Sequence, residues 1–416
     1  MRLSRNAAFG GLVCCAVMLL CIGNTQRRGT VEALRNLGAV SAAGAKLALP
    51  VGSSVLVTGG AGFVGFHLSL RLRKLGVHVV ALDNFDPYYS TALKRARQAL
   101  LRHASVEVVE GDMCDQPLLE RLLSEHAVTH VASMAAQAGV RYSLTNPQAY
   151  LRANGQCFVS LLEALVSVDP TVRLIYASSS SVYGSNTKAP FSESDRVDGG
   201  RSCWALQRLL AQSGGHSSQV DVPNSLYAAT KKLDEQLAHV YHGLHGLRVT
   251  GLRFFTVYGP WGRPDMAYFS FAHRIAHGRP IAVYGHGTPQ RDFTYIDDVV
   301  DGVVGALALG ADEEIFNLGN HRVETLGRFI SVLERHLGVA ANKTMVGMAP
   351  GDVKLTYADV SHAAEKLGYA PKTSIDQGLK KFIEWYRSAS FRPEYAEEGE
   401  WNRPPRRRRR PGARGV

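Results

Sequence analysis

Cysteine is scarce in this 416-residue chain and placed without pattern: of six, Cys14, Cys15 and Cys21 crowd near the N-terminus, while Cys114, Cys157 and Cys203 are scattered. No metal-ligand spacing occurs, so no metal is expected, and a disulfide framework is not indicated. Charged residues are few as well, 20% against 45% hydrophobic, which is the composition of an ordinary folded protein and confines disorder to the ends. Acids are the scarcer sign, with 36 Asp and Glu against 47 Lys and Arg and a formal charge of +11. Arg403, Arg406 to Arg410 and Arg414 supply +7 of that excess. The body is therefore only mildly basic, and no nucleic-acid partner is expected. From about Phe391 the arginines stand among prolines, as in a solvated, disordered basic tail, residues 391–416.

Long apolar runs are absent except for one. Ala7 to Gly23 holds 17 residues without a charge, with Arg2 and Arg5 before it and Arg27 and Arg28 after it. A membrane span takes about 17–25 residues, and signal-peptide cores are usually shorter. The expectation is an uncleaved anchor with the N-terminus inside, a single-pass type II arrangement, followed by a linker; together these make up residues 1–50.

The chain is organised around Val55-Leu56-Val57-Thr58-Gly59-Gly60-Ala61-Gly62-Phe63-Val64-Gly65. Apolar residues end in a small-residue turn and a helical pattern follows, the order that a pyrophosphate cradle needs. Glycines permit the tight turn, and the helix start supplies unpaired N–H groups and positive dipole to an anion. A second strand pattern, Val77 to Leu82, closes on Asp83, where an acid would hold the adenosine ribose and repel a phosphorylated one. The expected cofactor is NAD.

Short β-branched runs at Val55–Thr58, Val77–Leu82, Val106–Glu110, Val128–Val131, Leu174–Ala177 and Val249–Arg253 alternate with helical patterns at Phe63–Leu75, Thr91–Leu101, Gln116–Glu125, Gln148–Val168 and Ser225–Leu244. That alternation predicts an α/β fold, a Rossmann-like doubly wound parallel sheet, over about residues 51–253. Irregular sequence after Phe254, with helices near Asp297–Leu309 and Leu326–Leu337, predicts a smaller substrate-capping region to about residue 390. A Gly/Ser-rich stretch at 199–222 around Cys203 to Ala211 interrupts the pattern.

Tyr227 and Lys231, four apart in a helical stretch, lie one turn apart on one face. An unperturbed phenol, with a pKa of about 10, is a poor base at neutral pH; an adjacent ammonium favours its phenolate. The hydroxyls of Ser178-Ser179-Ser180-Ser181 follow a strand whose carboxyl end is where ligands bind in such sheets.

Together these motifs resemble the extended short-chain dehydrogenase/reductase family of nucleotide-sugar enzymes, and within it the UDP-glucuronate 4-epimerases. The resemblance covers about Val51 to Tyr386 and includes Asp83-Asn84-Phe85, Ala135 to Ser143 with Arg141, Leu252 to Met266, Gln290 to Asp298 and Pro350-Gly351-Asp352. It implies Tyr227 as base, Lys231 as its activator and a cofactor-binding residue, and Ser179 beside the sugar O4. Gly59, Gly62, Phe63, Val64, Gly65, Asp83, Asn84 and Asp112 would surround the cofactor. Arg291 would hold the diphosphate; Arg141 and Asp352 fall among the implied substrate contacts. Ser180, Ser181, Thr256 and Arg263 are the candidate site for a sugar carboxylate, since a guanidinium fork matches one.

The implied reaction is reversible oxidation at the sugar C4 of UDP-glucuronate, with rotation of the 4-keto sugar before reduction, giving UDP-galacturonate. The resemblance also implies a membrane-held, Golgi-lumenal location and allows a homodimer. The stretch 199–222 reads as an insertion beside the catalytic helix; Ser133-Met134 and Ala349 are further departures from the family pattern. Two rivals stay open: a decarboxylase or 4,6-dehydratase, which would carry an acid after the catalytic hydroxyl where this chain has Ser180 and Ser181, and a tethered NAD-binding protein without turnover.

Overall fold

A computed structural model describes residues 48–184, 186, 188–195, 223–348 and 353–397. The apolar run Ala7–Gly23, the stretch 199–222, Asp352 and the arginine tail lie outside the described residues.

The first βαβ unit is β1 (Ser54–Thr58), α1 (Phe63–Lys74) and β2 (His78–Asp83), followed by α2 (Thr91–His103), β3 (Glu107–Glu110), α3 (Gln116–Glu125) and β4 (His130–Ser133). Along β1 and β2 side chains alternate between two cores. Val55, Val57, Val79 and Ala81 join the core beneath α1 and α2, while Leu56, Val80 and Leu82 join the one beneath α3. A strand that is apolar on both faces suits a sheet covered by helices on both sides. Helix α3 starts where Asp115 accepts the Leu118 N–H at 3.1 Å with Pro117 in its first turn.

After β4 come α4 (Cys157–Val168), β5 (Arg173–Ser179), α5 (Leu226–His245) and β6 (Val249–Phe254). The parallel sheet reads β3-β2-β1-β4-β5-β6-β10, where β10 is Glu313–Leu318. This is the expected doubly wound order, with the switch point between β1 and β4.

The tail expected from Phe391 is folded at its start, where Phe391 packs on Trp385 and Tyr386 and Pro393–Ala396 forms a 3-10 turn with Tyr395 buried, and three further boundaries differ from the sequence expectation. First, β10 pairs with β6 from Glu313↔Val249 to Leu318↔Phe254, and the helix before it, α7 (Ile296–Leu309), packs on α1. The core therefore does not end at residue 253; the chain leaves the sheet for the cap and returns. Second, the helix expected across Gln148–Val168 is a short turn Pro147–Tyr150, a π-helical turn Leu151–Gln156, and then α4. Third, β5 extends through Ser179, so Ser178 belongs to the strand and only Ser180–Tyr183 forms the following 3-10 turn.

The cap is built from α6 (Ala267–Ala276), α8 (Leu326–Leu337), α9 (Ser361–Leu367) and α10 (Ile375–Tyr386) with two small sheets. One orders β11 (Val323–Thr325), β9 (Gln290–Tyr295) and β7 (Thr256–Tyr258); the other pairs β12 (Lys343–Val346) with β8 (Ile281–Tyr284). Helix α10 opens on a capping box between Ser374 and Gln377. Among the described residues no helix is long and apolar enough to cross a membrane.

Candidate active site

A cleft of about 580 Å³ runs across the carboxyl ends of the sheet strands. Gly59, Gly62, Phe63, Val64, Gly65, Asp83, Asn84 and Asp112 line one part, and Ser179, Ser180, Ser181, Tyr227, Lys231, Thr256, Arg263 and Arg291 line the rest. The structure thus brings together residues from Thr58 to Thr356 that the sequence holds far apart.

The glycine turn is shaped by contacts that leave no room for side chains. Gly59 has φ +66°, and a Cβ there would lie 2.7 Å from the Ala135 nitrogen; a Cβ on Gly65 would run into the Gly59 carbonyl. Loop and helix start are therefore pressed together, which exposes the helix N-terminus to the cleft. Asp83, at the end of β2, is buried and accepts the Ala61 N–H at 3.0 Å and the Phe85 N–H at 2.8 Å. A carboxylate has about four acceptor positions, so ribose hydroxyls can still be received. The Lys94 ammonium stands 4.0 Å from this carboxylate. The close-packed glycine turn and the ribose-facing acid together fit a dinucleotide.

In the same part of the cleft as Asp83 and Asn84, Asp112 accepts the Cys114 N–H at 2.9 Å and pairs with Arg152 at 2.9 Å. Burial works against ionisation of Asp112, but these bonds prevail and hold its carboxyl below the usual range. Beside it Cys114 and Cys157 form a disulfide across 43 residues of sequence. This corrects the expectation drawn from cysteine spacing: the loop after β3 and the start of α4 meet only in the folded chain. Asp112, Cys114 and Cys157 are also the metal-capable group among the described residues, but the disulfide removes both thiolates as ligands.

Helix α5 begins where Ser225 accepts the Ala228 N–H at 3.1 Å and ends at Gly246 with φ +69°. Tyr227 stands in its first turn and Lys231 in the next. The Lys231 ammonium donates to the Ala177 carbonyl at 2.8 Å and to Asp234 at 3.0 Å. Ser179 Oγ accepts from the Ser181 N–H at 3.2 Å and from the Ser181 hydroxyl at 2.7 Å. Ser178 is turned the other way, donating to buried Glu235 at 2.7 Å, so only three of the four serines offer hydroxyls to a sugar.

Two sequence-based placements change. Arg263 does not present an open fork. It pairs bidentately with Asp265 at 3.0 and 2.6 Å and donates to the Ala138 carbonyl at 3.3 Å; Tyr88 donates to the same carboxylate at 3.1 Å. Arg141 is outside the cleft lining, exposed, with its guanidinium 4.5 Å from the centre of the Tyr284 ring. Asp352 lies outside the described residues.

The structure also reveals residues that sequence reasoning missed. Fully buried Arg97 donates to the carbonyls of Ala61, Trp261 and Gly262 and to the Tyr89 hydroxyl, tying the glycine turn to the loop that carries Arg263. Its signal was a charge on the apolar stripe Leu93, Arg97, Leu101 of α2. Asn154, in the π-helical turn, brackets the Gln137 backbone at 2.8 and 3.0 Å and reaches Thr230 at 2.9 Å. Arg253 pairs with Glu235 at 2.8 and 2.9 Å and donates to Tyr183 at 3.0 Å, joining β6, α5 and the serine turn.

The comparisons with known proteins agree with this geometry. UDP-glucuronate 4-epimerase 1 of Arabidopsis thaliana is 48% identical over 354 residues, 81% of this chain and 77% of that protein. The crystal structure of UDP-glucuronic acid 4-epimerase from Bacillus cereus in complex with UDP-glucuronic acid and NAD superposes with a TM-score of 0.69 at 34% identity, covering 80% of this chain and 98% of that one. UDP-glucose 4-epimerase from Thermotoga maritima with UDP-glucose gives 0.67 at 28% identity, over 80% of this chain and 98% of that one. Residues 55–319 match the model of the NAD dependent epimerase/dehydratase family, and to that family the chain belongs.

Proposed function

We propose that the chain interconverts UDP-glucuronate and UDP-galacturonate. The observation that carries this reading is the convergence of Tyr227, Lys231 and the Ser179–Ser181 hydroxyls on one wall of the cleft that the glycine turn opens, together with 48% identity to a UDP-glucuronate 4-epimerase. NAD, when bound, supplies the hydride acceptor and donor. Tyr227 takes the proton from the sugar O4 and returns it after the sugar has turned; Lys231, fixed through Ala177 and Asp234, favours the phenolate by its charge. Ser179 holds O4. Arg291 lines the cleft beside Thr356 and anchors the diphosphate.

The acidic sugar is received by Ser180, Ser181 and Thr256. Because the Arg263 fork is filled by Asp265, Arg263 serves as counter-charge only as part of that pair, and its main work is to hold the Ala138 loop. Uncharged hydroxyls suit retention of the carboxylate in the β-keto acid formed at C4. The test is product analysis with UDP-glucuronate and NAD. UDP-galacturonate without carbon dioxide is expected, and Tyr227→Phe abolishes it while NAD binding persists; UDP-xylose or a 4-keto pentose would reassign the chain to decarboxylation.

The same reading includes a tether. The apolar run Ala7–Gly23 supports anchoring in a secretory membrane, the Golgi in this proposal, with the catalytic region in the lumen, and a structural disulfide suits an oxidising compartment. Protease digestion of sealed vesicles checks it: the catalytic region is protected until detergent is added. Val240 and Leu244, exposed one turn apart on α5, support pairing of two copies, measured by light scattering of a Val240→Lys variant against the parent.

A further inference from the structure

Behind the proposed catalytic lysine lies an acid that the mechanism above uses only as a tether. Tyr227, Lys231 and Asp234 occupy positions i, i+4 and i+7 of α5, so the three share one face of the helix. Asp234 does not line the main cleft. It sits on the far side of Lys231, 2% exposed, and lines a separate cavity of about 10 Å³ with Ser133, Asn154, Tyr176 and Lys231. Its Oδ2 accepts from the Lys231 ammonium at 3.0 Å; its Oδ1 is buried and finds no donor among the described residues.

An ammonium has three donors. Lys231 commits one to the Ala177 carbonyl and one to Asp234, so the third is the one left for the cleft. Asp234 thus does two things: it fixes the direction of that third donor, and it places a negative charge behind the positive one that Tyr227 meets.

We propose that Asp234 is a positioning residue of the reaction, moderating through Lys231 and through its own charge how readily Tyr227 takes the phenolate form. The inference rests on the reading of Tyr227 as the proton acceptor. The charge arithmetic has one sign. A carboxylate about 10 Å along the helix from the phenol disfavours a second anion there, and it also offsets the ammonium that favours one. Other charged or titratable groups facing Asp234 are few. On its own helix these are Lys231 and Glu235. From β5 comes the Tyr176 phenol, which burial together with Glu235 and Asp234 keeps protonated. The groups lining the cavity from the β4 end and the π-helical turn, Ser133 and Asn154, are uncharged. Glu235 is itself neutralised by Arg253, so removing Asp234 changes the field without a compensating partner nearby.

Burial pushes the Asp234 carboxyl up to about 6, against the pull of Lys231. The carboxylate is therefore present at neutral pH and is lost in mildly acidic solution, and the moderating effect is strongest above that point.

The experiment compares the full chain with Asp234→Asn, Asp234→Ser and Asp234→Glu. Three quantities are read: kcat/KM for UDP-glucuronate against pH, NAD affinity, and the ultraviolet phenolate titration of the protein with Tyr227→Phe as blank. For Asn and Ser, the limb on which activity rises with pH moves down by half a unit to one unit, a three- to tenfold gain at fixed pH on that limb. The phenolate signal assigned by the blank moves with it, and NAD affinity stays within threefold. The Glu variant keeps the parental profile. A limb and a phenolate titration that stay in place in a folded Asn or Ser variant overturn the proposal. So does a tenfold loss of NAD affinity without a shifted limb, which would leave Asp234 as a structural tether. Should Tyr227→Phe retain turnover, the underlying assignment of the base fails instead, and that result does not depend on Asp234.

Discussion

The two walls of the cleft are built differently. On the cofactor side, the glycine turn and Asp83 come from one contiguous βαβ unit, and most of what they present is backbone: N–H groups, a helix start and an absence of side chains. On the sugar side, Ser179, Tyr227, Thr256, Arg263 and Arg291 arrive from five separate segments, and they stand among side-chain pairs: Arg263 with Asp265, Lys231 with Asp234 and Arg253 with Glu235. A backbone site is specified by local conformation, whereas a side-chain site depends on which partner each side chain takes, whether near in sequence as for Arg263 and Asp265 or distant as for Arg253 and Glu235. The cofactor wall is thus held by backbone geometry, and the sugar wall by its side chains.

Arg97 lines neither wall but ties the glycine turn of one to the Arg263 loop of the other, so removing it breaks the comparison most deeply. Arg97→Met leaves the carbonyls of Ala61, Trp261 and Gly262 without their donor; the expected cost is about 4–5 kcal/mol, read as a fall in the urea midpoint or a loss of soluble protein. On the sugar wall alone, Arg263→Leu and Asp265→Leu each strand a poorly exposed partner charge and should each cost about 3–5 kcal/mol. The double variant should recover a large part of that loss, and full additivity in the cycle would show that the pair is not coupled.

Beside Asp112, Cys114→Ser with Cys157→Ser should lower stability by about 2–4 kcal/mol and weaken NAD binding more than UDP-sugar binding, which isothermal titration separates. A smaller and pH-dependent effect is expected at His67, which joins α1 to the cap through the Pro260 carbonyl at 3.0 Å. Burial lowers its imidazole from 6.5 to about 3. The unfolded chain binds this proton near 6.5 and the folded chain does not, so the contribution is complete above that pH and is lost as pH falls toward 3. About 2 kcal/mol should disappear between pH 7 and pH 5, and His67→Gln should flatten that decline in denaturant midpoints.

What the sequence disclosed follows the same division. The glycine turn, Asp83 and the Tyr227/Lys231 spacing were legible because each is local: a turn, a strand end, one helix turn. Helix α3 was placed to the residue because Asp115 and Pro117 mark its start. Partnerships were not legible. Arg263 read as an open fork because nothing in its neighbourhood says that Asp265, two residues on, will fill it. The π-helical turn at Leu151–Gln156 buries Asn154 and Gly155 rather than apolar residues, so no break in an apolar stripe marked it and it was hidden inside the longer helical pattern. Cys114 and Cys157 are joined by packing of α4 against α3 rather than by any spacing. Strand β10 was overlooked because its burial is complete only over Phe316–Leu318, too short an apolar run to announce a strand.

That last strand has a bearing on how the protein is made. Synthesis delivers β6 by Phe254, but the neighbour that completes hydrogen bonding along it does not emerge until Leu318, after β7, β8 and β9 of the cap have been translated. Throughout that interval the nascent chain carries an open, apolar sheet edge, the kind of surface that recruits other strands. The growing polypeptide must therefore be shielded or kept apart from its neighbours until β10 has emerged, and a chain cut short before Glu313 is expected to aggregate rather than to fold as a smaller cofactor-binding domain.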